Sequence, residues 1–157
     1  MKLTNHAPRD SVQVPLEATD KTEAITLLVD RLAEQGHTDQ RDELLRAVLE
    51  REAQRTTGIG RGLAIPHAKC DAVDKLVIAF GLPKQPIDFA AVDGQPVRLI
   101  ALLVSPTHET STHIQALAKL SRLVTQDKIL NALLDADDAD AFYHILAEND
   151  GAASSAD

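Results

Sequence analysis

One histidine is distinguished by the residues that surround it. His67 follows Pro66, at the end of an apolar segment in which glycines alternate with Ile59 and Arg61. Glycine adopts backbone angles that other residues avoid, and proline fixes its own φ, so such a segment holds a histidine in a defined backbone conformation. The unperturbed pKa of histidine is about 6.5, so a neutral ring is available as a nucleophile near neutral pH. The pattern indicates that His67 is a functional residue.

The glycines of this segment do not complete a nucleotide-binding motif. A dinucleotide fingerprint beginning at Gly58 and Gly60 requires a third glycine where Leu63 stands, and it must open a helix, which Pro66 would interrupt. A phosphate-binding P-loop requires Gly-Lys followed by Ser or Thr, a triplet that the sequence lacks. The backbone could still offer N–H groups to an anion. Spacing alone favours a simpler role for the glycines, a tight turn between a helix and a strand.

Several polar residues could assist His67. Arg51 lies upstream, and Ser111 and His113 lie at the start of a later helix. An arginine can offset the charge of a phosphoryl group in transfer, and a helix N-terminus attracts anions while it disfavours a protonated imidazole. These residues fit phosphoryl transfer through a phosphohistidine, although histidines without a function are common and spacing does not exclude that interpretation. The other four are interpreted as surface-loop histidines: His6, His37, His108 and His144.

Five segments show the apolar spacing of helices. Asp20 is a natural N-cap, and Glu23 three residues later completes a capping-box pattern for the first helix, which Gly36 ends. Thr38 or Asp39 is expected to cap a second helix that extends to about residue 53. Three more helices are predicted: one capped by Thr110 or Ser111, and two shorter ones near 128–134 and 139–147.

The strand signals indicate one α/β domain whose helices cover a sheet of few strands. Residues 97–104 are almost continuously apolar, as in a central strand covered on both faces, and residues 76–82 form a second apolar run. Residues 87–89 predict a brief strand before the Asp93-Gly94 turn. Alternating apolar residues predict an edge strand within the N-terminal segment, residues 1–19. The domain itself is assigned to 20–148, and 149–157 to a disordered tail.

Composition excludes several classes of function. The formal net charge of −8 argues against binding to nucleic acid or to an anionic membrane surface, and the acidic second helix argues against a helix-turn-helix. No apolar run is long enough to cross a bilayer, and the N-terminus lacks the apolar core of a signal peptide. Cys70 is the sole cysteine, so no intrachain disulfide can form, and His67 with Cys70 supplies too few ligands for a metal. The cytoplasm is the expected location.

Two separated motifs resemble one protein family. TGIGRGLAIPHA, residues 57–68, resembles the phosphorylation-site motif of the fructose/mannitol-type enzyme IIA domains of the bacterial phosphoenolpyruvate:sugar phosphotransferase system. THIQALAKLSRLV, residues 112–124, resembles the second signature region of these domains, and PIDFAAVDGQPVRLIALLVSP, residues 86–106, is also similar to them. The resemblance extends from about residue 20 to about residue 148. Ala68 stands where many members have glycine, a mild variation.

The resemblance implies a fold and a reaction. The fold is a single α/β domain, a mixed β-sheet flanked by helices on both sides. His67 would be the phosphorylated residue, His113 would assist without carrying the phosphate, and Arg51 would stabilise the charge of the phosphoryl group. The donor would be the phosphocarrier protein HPr or an HPr-like protein. No metal, nucleotide or other cofactor is expected, because phosphohistidine is already a high-energy donor.

The resemblance leaves the next step of the phosphoryl group open. Transport members pass it to a IIB domain, whereas a nitrogen-regulatory branch signals through its phosphorylation state to target proteins. The absence of an attached IIB or membrane domain favours the regulatory branch, and a separately encoded fructose/mannitol-type transport subunit is the alternative. Two other hypotheses are a non-catalytic interaction module and a metal-dependent hydrolase, for which the sequence has neither a His-Glu-x-x-His motif nor paired cysteines.

Overall fold

The computed structural model describes the backbone of residues 1–154 and the side chains of residues 1–150. Two short 3-10 helices, Leu3–Asn5 and Arg9–Ser11, precede the first strand. The strands are β1 (Val12–Leu16), β2 (Gly58–Gly60), β3 (Leu63–Ala64), β4 (His67–Lys69), β5 (Val77–Pro83) and β6 (Leu99–Ser105). The helices are α1 (Lys21–Glu34), α2 (Arg41–Gln54), α3 (Thr110–Val124), α4 (Asp127–Leu134) and α5 (Ala139–Ser154).

The six strands form one mixed sheet in the order β1-β5-β6-β3-β2. β6 is antiparallel to β5 on one side, and on its other side it pairs in parallel first with β3 and then, further along, with β4. β1 lies at an edge of the sheet, as the sequence predicted, and pairs in parallel with β5, while β2 pairs antiparallel with β3. The single mixed-sheet α/β fold is confirmed.

Helices cover both faces of the sheet. Every residue of β6 is buried, because alternate side chains enter two separate hydrophobic clusters. One cluster includes residues of α3, α4 and α5, and the other includes residues of α1 and α2. Leu99, Ala101 and Leu103 belong to the first cluster, and Ile100, Leu102 and Val104 to the second. The prediction of a central strand covered on both faces is therefore confirmed.

The first helix has the N-cap that the sequence predicted, but two later helices have different N-cap residues from the predicted ones. The Asp20 carboxylate accepts the N–H of Glu23 at 2.8 Å, and the Glu23 carboxylate accepts the N–H of Thr19 at 2.7 Å. Gln40 precedes α2 and Glu109 precedes α3, and neither side chain makes a cap hydrogen bond. The predicted N-caps are therefore wrong. They were Thr38 or Asp39 for α2 and Thr110 or Ser111 for α3, and none of these residues occupies the N-cap position.

The glycine-rich segment is a hairpin between strands, where the sequence predicted a turn from a helix to a strand. β2 and β3 are joined by Arg61 and Gly62, whose φ angles are 59° and 78°. Two successive positive φ values are typical of a type I′ turn, whose twist matches that of the paired strands. The predicted strand at residues 87–89 is wrong, since Ile87 forms a single antiparallel bridge with Val97.

Both ends of the described chain pack against the domain. Leu3 and Ala7 are buried, so the segment before β1 belongs to the hydrophobic core. The Asp150 carboxylate accepts the N–H groups of Leu3 and Thr4 at 2.8 and 3.0 Å. α5 extends to Ser154, so the prediction of disorder from residue 149 is wrong for 149–154. Residues 155–157 of that predicted tail lie outside the described residues.

Candidate active site

A shallow, open depression of about 490 Å³ lies at the edge of the sheet, where β4 meets α2 and α3. Arg51 of α2, His67 of β4 and His113 of α3 all line it, as the sequence predicted. Lys69 adds a second cation, two residues beyond His67 on the same strand. The fold thus brings together two histidines and two positively charged side chains from three separate elements.

The backbone around Pro66 places His67 at this edge. β3 and β4 run one after the other along β6, and Pro66 lies at the break between them. Proline has no N–H to donate, but its carbonyl accepts the N–H of Leu103 at 2.9 Å and keeps the segment attached to β6. His67 then pairs with Leu103. Because β4 has β6 as its strand neighbour in the described sheet, His67 lies at a sheet edge, where it lines the open depression.

A hydrogen bond to the main chain assigns the two nitrogens of His67. Its Nδ1 lies 2.8 Å from the carbonyl oxygen of Ile65. A carbonyl oxygen only accepts, so Nδ1 must carry the proton in this bond. In the neutral ring Nε2 then has the free lone pair. The segment that presents His67 therefore also determines which of its nitrogens can act as a nucleophile.

The surroundings of His67 keep its ring neutral. Burial lowers the pKa of His67 below its ordinary value, and the hydrogen bond to Ile65 opposes this change in part. The positive charge of Arg51 lowers the pKa further, while the Glu52 carboxylate raises it. The net direction of the pKa shift is downward, so the ring is neutral near pH 7 and the lone pair on Nε2 is available.

His113 is held against both His67 and Ser105. The centroids of the two imidazole rings are 5.5 Å apart, with the rings inclined at 61° in an edge-to-face arrangement. His113 Nδ1 lies 2.6 Å from the Ser105 hydroxyl oxygen. Burial first, and then the charges of His67 and Lys69, lower the pKa of His113 to about 4. His113 is therefore neutral near pH 7.

Arg51 lies in the last turn of α2, where a cation interacts favourably with the helix dipole. One guanidinium nitrogen, Nη1, donates to the carbonyl oxygen of Arg55 at 3.1 Å. This bond anchors the side chain and leaves other N–H groups of the guanidinium for a ligand in the depression. Arg51 is thus placed to bind an anion beside His67.

Three residues of this region were not given a role from the sequence. Glu52 is buried, and its carboxylate accepts the N–H of Thr57 at 2.9 Å and the Thr57 hydroxyl, so it ties the end of α2 to the start of β2. Ser105 is fully buried behind His113. Lys69 lies on the same side of β4 as His67, because side chains alternate along a strand. A strand prediction at 67–69 would have identified Lys69, whereas Ser105 required the pairing of β4 with β6.

The remaining histidines and the cysteine lie away from this site. Cys70 is buried, outside the residues that line the depression. His37 contacts the Asp10 carboxylate at 3.0 Å, and His108 is an exposed loop residue. The interpretation of His144 as a loop residue is wrong, because it lies on α5, where Nε2 is 2.8 Å from Glu148. Within the described part of the chain, no three His, Cys, Asp or Glu residues are grouped so that they could hold a metal ion.

No helix formed by the described residues is long and apolar enough to cross a membrane.

Comparison with known proteins places the chain in a phosphotransfer family. The model of the family described as "Phosphoenolpyruvate-dependent sugar phosphotransferase system, EIIA 2" matches residues 5–149. The crystal structure of the nitrogen regulatory protein IIA-Ntr of Neisseria meningitidis superposes with a TM-score of 0.82 at 28% sequence identity, over 90% of this chain and 97% of that one.

Individual relatives include both sugar-specific and regulatory proteins. The chain is 37% identical to the fructose-specific EIIA component of Haloferax volcanii and 34% identical to a nitrogen regulatory protein of Bradyrhizobium diazoefficiens, over 93% and 94% of this chain and 95% of each relative. It is 35% identical to the fructose-specific EIIABC component of Bacillus subtilis over 96% of this chain, but spans only 24% of that longer protein. The chain therefore belongs to the EIIA 2 family of the phosphoenolpyruvate-dependent sugar phosphotransferase system.

Proposed function

We propose that this chain is a phosphocarrier that accepts a phosphoryl group on Nε2 of His67 from a phosphohistidine of HPr or an HPr-like protein. The observation that carries the proposal is the 2.8 Å hydrogen bond from His67 Nδ1 to the carbonyl of Ile65. It leaves Nε2 as the unprotonated nitrogen of a neutral ring at an open edge of the domain. Family membership supports phosphotransfer as the class of reaction.

The proposed transfer exchanges one P–N bond for another. The lone pair of His67 Nε2 attacks the phosphorus, and the bond between phosphorus and the donor's imidazole nitrogen breaks. The electron pair of that bond returns to the donor ring. The His67 ring then carries phosphorus on Nε2 and a proton on Nδ1, and the Ile65 carbonyl stabilises the positive charge that spreads into the ring. Neither a metal nor a nucleotide takes part, because the donor phosphohistidine stores the energy of transfer.

Arg51 and His113 have separate proposed roles. The Arg51 guanidinium, anchored on Arg55, offsets the negative charge of the phosphoryl oxygens while phosphorus moves between the two imidazoles. His113, kept neutral by burial, borders the same depression without carrying the phosphate. A neutral ring in this place can donate one N–H hydrogen bond to a phosphoryl oxygen, and it adds no positive charge that would attract other anions.

We propose the same edge of the sheet as the exit route of the phosphoryl group. We consider two outputs, because the relatives include a fructose-specific EIIA component and a nitrogen regulatory protein: transfer to a IIB component, or signalling to a target protein through the phosphorylation state of the chain. Both outputs depend on the phosphorylation of His67, and we propose that they take place in the cytoplasm, where the sequence led us to expect the chain.

The acceptance step is tested by incubating the chain with labelled phosphoenolpyruvate, enzyme I and HPr. We expect one acid-labile phosphate per wild-type chain and none in His67→Ala. His108→Ala, which removes an exposed loop histidine, is the matched control and is expected to label fully. Equal labelling of His67→Ala, or no labelling of the wild type, would overturn the proposal.

The output is tested with the labelled chain. Addition of purified IIB components of the fructose and mannitol type is expected to remove the label if the chain serves transport. Persistent label, together with a partner captured from cell extract by only one of the two phosphorylation states, would assign the regulatory role. A partner that binds both states equally would support the interaction module in place of a phosphorylation switch.

A further inference from the structure

A buried hydroxyl group lies directly behind the active-site histidine pair. Ser105 is the last residue of β6 and has no exposed surface. Its Oγ lies 2.6 Å from Nδ1 of His113, and this is the one hydrogen bond of that hydroxyl among the described residues. No other acceptor is offered to its proton in this part of the chain.

The burial of Ser105 determines the direction of this bond. If His113 Nδ1 carried a proton and donated it to Oγ, the hydroxyl proton would have no acceptor in a site without water access. A buried donor left without a partner costs about 1–3 kcal/mol. If the hydroxyl donates to Nδ1 instead, both groups are satisfied. The neutral His113 ring then carries its proton on Nε2.

We propose that Ser105 is a positioning residue that holds His113 in the Nε2–H tautomer, so that this N–H can donate to the phosphoryl group on His67. The inference rests on the proposed function for its last step. Nε2 is the nitrogen of His113 that is not engaged by Ser105, and His113 lines the depression together with His67. His67 and His113 therefore have opposite tautomers: His67 presents a lone pair to phosphorus, and His113 presents a donor to its oxygens.

The sheet holds Ser105 rigidly in this position. Ser105 pairs with Lys69 in the register between β6 and β4, two residues from the pairing of Leu103 with His67. The Ser105 carbonyl accepts the N–H of Cys70 at 2.8 Å. β4, which carries His67, is thus paired with β6, which carries Ser105. Main-chain hydrogen bonds between these two strands therefore couple the tautomer of His113 to the position of His67.

The tautomers can be read directly by ¹⁵N NMR of the imidazole nitrogens at pH 7, in the unphosphorylated protein. We expect His113 to be protonated on Nε2 and His67 on Nδ1. In Ser105→Ala we expect His113 to gain a population protonated on Nδ1 and its pKa to rise, because the hydroxyl that stabilises the neutral ring is gone. Protonation of His113 on Nδ1 in the wild type would overturn the inference, even if Ser105→Ala does not fold.

Ser11→Ala is the matched control. Ser11 is also fully buried, and its hydroxyl contacts the carbonyl oxygens of Pro8 and Ile78, away from the active site. We expect this variant to lose stability and to leave the tautomer and pKa of His113 unchanged. A shift of His113 in Ser11→Ala equal to that in Ser105→Ala would assign the effect to general loosening of the fold and contradict a positioning role.

The kinetic consequence is measured as the rate of phosphoryl acceptance from phosphorylated HPr. Loss of one neutral hydrogen bond predicts a fall of about three- to tenfold in Ser105→Ala, with recovery in Ser105→Thr, which retains a hydroxyl. An unchanged rate in Ser105→Ala with an altered tautomer would overturn the catalytic part of the inference. Failure of the wild type to accept phosphate, with Nε2–H confirmed by NMR, would instead overturn the proposed function and leave the tautomer assignment standing.

Discussion

Acidification between pH 7 and pH 5 is expected to destabilise the folded chain through His113. The pKa of this buried ring is about 4 in the folded state, against about 6.5 in an unfolded chain. Between these two values the unfolded state binds more protons than the folded state. The free energy of unfolding therefore increases with pH in this range, and the stabilisation present above pH 6.5 is lost as the pH falls towards 4.

The size of the effect follows from the two pKa values. At pH 5 an unfolded His113 is almost fully protonated, whereas the folded ring is mostly neutral. Linkage between proton binding and folding then predicts a loss of about 2 kcal/mol between pH 8 and pH 5, and a limit of about 3 kcal/mol at lower pH. Such a loss is a substantial part of the stability of a small domain, which is about 5–15 kcal/mol.

Urea unfolding at pH 8, 7, 6 and 5 measures this loss in the wild type and in His113→Gln. The variant is less stable at every pH, because its contact with Ser105 is altered, but its stability is expected to fall by about 2 kcal/mol less than that of the wild type over this range. His108→Gln, which changes an exposed loop histidine, is expected to follow the wild type. Parallel pH profiles for the wild type and His113→Gln would refute the assignment of a buried neutral ring.

Three further substitutions test individual contacts of the site. Lys69→Gln removes a charge that lowers the pKa of His113, so an NMR titration is expected to show a raised pKa, whereas Lys75→Gln, an exposed control, leaves it unchanged. Glu52→Gln weakens the link to Thr57 and is expected to cost about 1–3 kcal/mol in urea unfolding and to lower the pKa of His67; an effect no larger than that of exposed Glu50→Gln would contradict this. Gly58→Ala would place a Cβ 2.8 Å from that of Ala91 and is expected to cost about 1–3 kcal/mol; an unchanged urea midpoint would show that β2 can shift freely.

Elements whose sequence signal lies in one continuous stretch of residues could be predicted from the sequence. β5 and β6 are almost continuously apolar, whereas a half-exposed strand alternates apolar and polar residues. This pattern located both strands to within about two residues. Asp20 and Glu23 formed the predicted cap because both partners of that interaction lie within one turn. Helix α2 has no such local cap, so its start was misplaced.

The short strands around the active site could not be predicted in the same way. β2, β3 and β4 contain two or three residues each, which is too few for any periodic pattern. β3 and β4 are stabilised as strands by pairing with β6, which lies far along the chain, and β2 is stabilised by pairing with β3, so their conformation depends on tertiary contacts. The glycines of the hairpin suggested a turn, but not which elements it connects.

The site itself was only partly accessible from the sequence. The family motifs indicated His67, His113 and Arg51, and the fold brings these three residues to one depression. The hydrogen bond from His67 to Ile65 joins residues two positions apart, yet it depends on the break in pairing at Pro66. The contact between Ser105 and His113 follows from where β6 ends relative to α3, and no motif predicts it.

The most direct test of the account is to locate the phosphorus on the ring of His67. The ¹⁵N-labelled chain would be phosphorylated with enzyme I, HPr and phosphoenolpyruvate and examined by NMR for coupling between ³¹P and the imidazole nitrogens. We predict coupling to Nε2 of His67, with Nδ1 still protonated against the carbonyl of Ile65. Phosphorus on Nδ1 of His67, or on His113, would contradict the central claim that the main chain around Pro66 selects the nucleophilic nitrogen.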